Sequence, residues 1–90
     1  MHPSKVLSPK SHIDPTSLEV FYIHPDGWWS LARMTYDGEN RIGIRWNGEI
    51  DNPADLGHPV STGHATWFLL PNELGEPIAQ MSDLFRKSRT

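Results

Sequence analysis

Apolar and polar side chains alternate through the first half of the chain, and this pattern predicts β-strands. Residues 18–23 are rich in β-branched and aromatic side chains and end at His24-Pro25-Asp26-Gly27. Proline presets its φ angle and glycine tolerates a positive one, so this tetrapeptide is typical of a turn. Residues 28–36 and 41–46 follow as two further strands, and the segment 37–40 joins them in a hairpin.

The alternation also predicts how the two strands of this hairpin face each other. Side chains of a strand alternate between its two sides with a period of two. One side of each strand carries the apolar set, namely Trp28, Ser30, Ala32, Met34 and Tyr36, then Ile42, Ile44 and Trp46. Only a loop with an odd number of residues brings these sets together, so we expect five residues, 37–41, or three, 37–39. A two-residue Asp-Gly turn would place Arg33 opposite Ile42, and we do not expect it.

The second half of the chain predicts one more strand and one helix. Residues 66–70 carry apolar side chains on both faces, which indicates a strand covered from two sides. Pro77 suits the first position of a helix over 77–87. An apolar stripe recurs there with helical spacing, at Ile78, Met81, Leu84 and Phe85, and we expect it to pack in the core.

The remaining segments are a proline-rich start and a long connection. Residues 1–17 carry three prolines and few aliphatic side chains, which predicts a mobile N-terminal arm. A single globular domain is expected over 18–87 and a C-terminal tail over 88–90. The connection 47–65 has little regular pattern beyond the turn signal Asn47-Gly48, and connections of this length are often functional.

These elements together predict an α+β fold that is mostly β. We expect a small antiparallel sheet, or an SH3-like, partly open barrel, of three to five strands with one C-terminal helix. Ninety residues with 37% hydrophobic side chains suffice for one core. The absence of cysteine excludes disulfides, thiolate zinc sites and a cysteine nucleophile. No apolar run is long enough for a membrane span or a secretory signal, so we expect a soluble, cytoplasmic protein that does not bind membranes.

Charge is distributed unevenly along the chain. The net charge is −3, but residues 18–85 contain three arginines and ten carboxylates, a net charge of −7. A strongly acidic segment repels a polyanion at long range, because duplex binding depends on neutralising phosphates with basic side chains. Nucleic acid is therefore a disfavoured partner.

The best candidate for function is the other side of the predicted hairpin, which carries Trp29, Arg33, Arg41 and Arg45. Like charges across a strand pair are unfavourable unless an anion lies between them. Tryptophan and arginine are the residues that most often anchor interfaces. The sequence thus favours a non-enzymatic interaction module that recognises an acidic protein segment or a planar anion. The structural alternative is that acidic residues of the domain neutralise the arginines, with Glu49, Asp51 and Glu73 as the candidates.

Two other functions stay open as alternatives. A nucleic-acid-binding small barrel would use the same face, and a small enzyme or metal site would centre on His58, His64 and Asp55. No helical zinc spacing, phosphate loop or nucleophile elbow occurs, so we expect neither catalysis nor a metal or other cofactor. A protein partner fits best, with the chain a monomer or a homodimer formed over Trp29.

Overall fold

The computed structural model describes residues 1–87, so the predicted tail over 88–90 lies outside the described residues. The strands and the helix are β1 (Glu19–Ile23), β2 (Trp29–Tyr36), β3 (Glu39–Trp46), β4 (Val60–Ser61), β5 (His64–Ala65), β6 (Phe68–Leu69) and α1 (Asn72–Lys87). Four strands form an antiparallel sheet in the order β1-β2-β3-β6, and β4 pairs only with β5. The predicted mostly-β fold with one C-terminal helix is confirmed, and within residues 1–87 the sheet does not close into a barrel.

The β2–β3 turn differs from the prediction. Tyr36 pairs with Glu39, so only Asp37 and Gly38 lie between the two strands. Both have positive φ, as the two central residues of a type I′ hairpin turn do, and this turn matches the natural twist of the strands. The expectation of an odd-length loop is therefore wrong, and Arg33 does lie opposite Ile42.

Both sides of the sheet are covered. One side carries Trp29, Leu31, Arg33, Ile42, Ile44 and Trp46, and the other carries Ser30, Ala32, Met34, Arg41, Gly43 and Arg45. Leu31 and Ala32 are neighbours on β2 that point in opposite directions, and each is 0% exposed. Helix α1 covers the first side, and the N-terminal segment covers the second together with Trp67.

Helix α1 begins five residues earlier than the sequence predicts. Pro77 lies inside the helix, where it removes one backbone hydrogen bond near the N-terminal end. Two contacts with the sheet hold the first turns in place: Gly75 packs on Ile42, and Glu76 binds Arg33. Tertiary contacts thus outweigh the local preference of a helix to start at proline.

Residues 1–17 pack against the sheet, in the segment where the sequence predicts a mobile arm before a domain that begins at residue 18. Val6 and Ile13 are buried in the core cluster. The indole nitrogen of Trp67 donates to the carbonyl oxygen of Val6 at 2.9 Å. Two well-placed aliphatic side chains are enough, because the sheet leaves an apolar side for them to cover.

The long connection after β3 returns along the edge of the sheet. Trp46 and His58 exchange backbone hydrogen bonds at 2.8 and 2.9 Å, and the small β4–β5 hairpin follows. No helix within residues 1–87 combines the length and apolar character that crossing a membrane requires.

Candidate functional site

The four residues of the predicted binding face do not share one side of the sheet. Because the hairpin turn has two residues, Trp29 and Arg33 lie on the side of α1, whereas Arg41 and Arg45 belong to the opposite side. The structure brings them together in two pairs instead. Arg33 and Arg41 line a cleft beside the start of α1, and Trp29 and Arg45 line a second cleft next to β6. The single aromatic–arginine surface is not formed.

Arg33 is neutralised within the protein. Its guanidinium donates to both carboxylate oxygens of Glu76, at 2.6 and 3.4 Å, and lies over the ring of Phe21. This hydrogen bond raises the pKa of Arg33 and lowers the pKa of Glu76. An internal acid thus neutralises an arginine, as the structural alternative expects, but the acid comes from α1 and is none of the three candidates.

Arg45 is a buried structural residue. It is 1% exposed, and its guanidinium donates to the carbonyl oxygens of Leu56 and Thr66. These two bonds join the ends of the segment that contains the β4–β5 hairpin. Burial lowers the pKa of Arg45, because the charged form loses its hydration. Arg41 donates to the carbonyl oxygen of Leu70 at 2.9 Å, so it too is engaged within the protein.

The second of these clefts is aromatic and exposed, and it lies where β6 begins. Its volume is ≈ 430 Å³, and it is lined by Trp29, Ile44, Arg45, Trp46, His58, Pro59 and Phe68. Trp46 is 59% exposed and Phe68 60% exposed, far more than aromatic side chains of a core. Contiguous exposed apolar surface of this kind marks interaction sites in soluble proteins.

The strand pairing explains why this cleft stays open. Strand β6 pairs with β3 only at Gly43 and Ile44, and the returning chain pairs with β3 again at Trp46. A gap therefore remains along the edge of β3 between these two pairings. Phe68 lies opposite Ile44 and His58 lies opposite Trp46, so these four side chains share one side of the sheet.

Trp29, which lines this aromatic cleft, packs against two further aromatic rings. The Trp29 ring contacts the ring of Tyr22, with centroids 5.0 Å apart, and meets Phe85 of α1 edge-on at 6.3 Å. Helix α1 therefore covers part of the Trp29 ring through Phe85. Tilted and edge-to-face arrangements are the preferred geometries of aromatic pairs, so these contacts orient the Trp29 ring before any partner binds.

The histidines do not assemble a metal site in the described part of the chain. His58 lines the aromatic cleft, whereas His64 belongs to β5. Within residues 1–87, no group of three His, Cys, Asp or Glu side chains is placed to hold a metal ion.

The sequence identifies Trp29 as a candidate site residue but does not identify Trp46 or Phe68. The apolar pattern predicts Trp46 in the core and a doubly covered strand around Phe68, yet both side chains are largely exposed. The signal that could have found Trp46 is Asp37-Gly38, because a two-residue turn sets Trp46 directly opposite Trp29. Comparison with protein-family models, curated proteins and solved structures finds no match to this chain.

Proposed function

We propose that this protein is a non-enzymatic protein-interaction module whose aromatic cleft receives an apolar side chain of a partner. The observation that carries the proposal is the exposure of Trp46 and Phe68, about six-tenths each, in the lining of one preformed cleft. Aromatic side chains are enriched where a few residues supply most of the binding energy of an interface.

The shape of the aromatic cleft favours a protein segment over a free small molecule. Small-molecule sites enclose most of the surface of their ligand. Walls that remain largely exposed cannot do this, whereas a side chain that projects from a partner brings its own backbone as the cover. The acidic character of residues 18–85 disfavours nucleic acid as the partner.

The arginines contribute little to this proposal. The expectation of an acidic partner rests on Arg33, Arg41 and Arg45 presenting their charge on one surface. Arg33 is bound to Glu76, and Arg45 is buried and donates to two backbone carbonyl oxygens. An acidic segment would have to displace these internal partners, so the aromatic residues are the better basis for recognition.

The test is selection from a displayed library of random peptides, followed by affinity measurements on purified variants. We expect selected peptides to carry an aromatic or large aliphatic anchor. Phe68→Ala should weaken such a peptide by about tenfold or more. Leu84→Ala is the matched control, because Leu84 is also largely exposed but does not line the cleft, and it should change affinity by less than about twofold. Equal effects of the two variants, each with unchanged circular dichroism, would overturn the proposal.

A further inference from the structure

A further cleft, named here the Trp28–Trp46 cleft, adjoins the aromatic cleft and shares Trp46 with it. Its volume is ≈ 310 Å³, and it is lined by Trp28, Trp46, Gly48, Asp55, Gly57 and His58. Trp28 and Trp46 are each 59% exposed. Two exposed indole rings therefore border a cleft that also contains a carboxylate.

Local contacts hold the first of these rings in place. The ring of Trp28 stacks on His24, with centroids 4.9 Å apart and an angle of 7° between the planes. The carbonyl oxygen of Trp28 accepts a hydrogen bond from the backbone of Asn47 at 2.8 Å. These contacts tie Trp28 to the turn before β2 and to the chain just after Trp46.

Asp55 supplies a negative charge in the same cleft. One of its carboxylate oxygens accepts the backbone N–H of Glu49 at 2.9 Å and the other that of Gly57 at 3.2 Å. These hydrogen bonds hold the pKa of Asp55 below its ordinary value, so the carboxylate is ionised at neutral pH.

The surroundings of this cleft are predominantly acidic. Residues 46–72 contain Glu49, Asp51 and Asp55 and no lysine or arginine. The nearby positive groups are already engaged with backbone oxygens. The Met1 ammonium donates to the carbonyls of Asn47, Glu49 and Asp55 at 2.7–2.9 Å. The three carboxylates outnumber this single ammonium, and the Arg45 guanidinium is buried, so the net exposed charge favours a cation.

We propose that the Trp28–Trp46 cleft binds the ammonium group of a lysine side chain on the protein partner. This inference rests on the proposed function, because the partner's apolar side chain would occupy the adjoining aromatic cleft. An ammonium beside the face of an indole ring is attracted by the ring's quadrupole, and the attraction grows when the cation is partly desolvated. Asp55 adds an opposite charge at the same place.

The chemistry of Asp55 favours lysine over arginine. A guanidinium prefers to bind both oxygens of a carboxylate at once through its planar fork. Both oxygens of Asp55 already accept a backbone N–H, so each keeps one lone-pair site and a guanidinium would have to share the carboxylate with two backbone donors. A lysine ammonium is a compact point charge, so it needs only proximity to the carboxylate and to the ring faces.

The test uses two small probes that differ in charge. Nα-acetyl-lysine amide carries the ammonium, and Nα-acetyl-norleucine amide keeps the aliphatic stem without it. Binding is followed through the indole N–H resonances of Trp28 and Trp46 in ¹H–¹⁵N spectra. We expect the lysine probe to bind at least about fivefold more tightly than the norleucine probe. Equal affinities for the two probes would overturn the inference.

Two matched variants separate this inference from the proposed function. Of these two clefts, Trp28 lines only the Trp28–Trp46 cleft, and Phe68 lines only the aromatic cleft. Trp28→Leu should abolish the preference for the lysine probe, whereas Phe68→Ala should preserve it and weaken only apolar anchoring. If Trp28→Leu still prefers the lysine probe over the norleucine probe, the proposed ammonium site is refuted while the proposed function stands. Thermal unfolding of both variants verifies that each remains folded.

Discussion

Asp37 and Gly38 form the whole connection between β2 and β3, with φ angles of 51° and 81°. A positive φ costs about 1–2 kcal/mol for a residue with a Cβ atom. A Cβ added at Gly38 meets nothing within 4 Å, so Gly38→Ala tests the backbone alone. We expect it to lower the free energy of unfolding by about 1 kcal/mol in urea denaturation. Gly38→Asn should lose less, since asparagine tolerates this conformation, and equal losses would contradict the account.

The periodic elements of the fold are predictable from the sequence, but the pairing register is not. Alternation predicts β2 and β3 because it is a local property of each segment. Matching of the two apolar sets decides the register only when a single side of the hairpin is buried. The neighbouring Leu31 and Ala32 show that both sides are buried. Apolar matching then discriminates weakly between registers, and the turn preference of Asp37-Gly38 prevails.

The candidate site is less predictable because it depends on contacts between distant parts of the chain. Whether Arg33 is free depends on Glu76, which lies 43 positions away in the sequence. The exposure of Trp46 and Phe68 depends on how few residues of β6 pair with β3. Side-chain type identifies Trp29 as a candidate, but no local pattern reports which neighbours will cover it.

Val6 tests whether the N-terminal segment belongs to the core. Its side chain is 1% exposed and contacts the buried cluster, so Val6→Ala should remove about 2 kcal/mol from the free energy of unfolding. The neighbouring Leu7→Ala is the control, because Leu7 is only partly buried and should lose less than about 1 kcal/mol. Urea denaturation measures both. A mobile arm would leave the stability of both variants equal to that of the parent protein.

Arg45 is expected to stabilise the connection after β3. In Arg45→Met the partly buried carbonyl oxygens of Leu56 and Thr66 lose their donor, and each costs an amount in the lower part of the range of about 1–3 kcal/mol for a buried unsatisfied group. The expected loss is about 2–4 kcal/mol, measured by chemical denaturation. Arg41→Met removes a single bond, to Leu70, and should cost about 1 kcal/mol. A loss at Arg45 no larger than that at Arg41 would contradict this account, and a gain in stability would show that the buried guanidinium destabilises the fold more than its hydrogen bonds stabilise it.

Asp55 makes the stability of the protein fall in acid. Its pKa is lower in the folded protein because the backbone N–H groups of Glu49 and Gly57 bind the ionised carboxylate. The resulting stabilisation is complete above the unfolded pKa, about 3.9, and is lost as the pH falls through the lower folded value. Urea unfolding from about pH 6 to about pH 2 should therefore show a shallower acid decline for Asp55→Asn than for the parent. Glu76, whose pKa Arg33 lowers, contributes with the same sign to both proteins and cancels in the comparison. Asp51→Asn, an exposed change in the same connection, should keep the parental decline, and an identical decline in Asp55→Asn would refute the role assigned to this carboxylate.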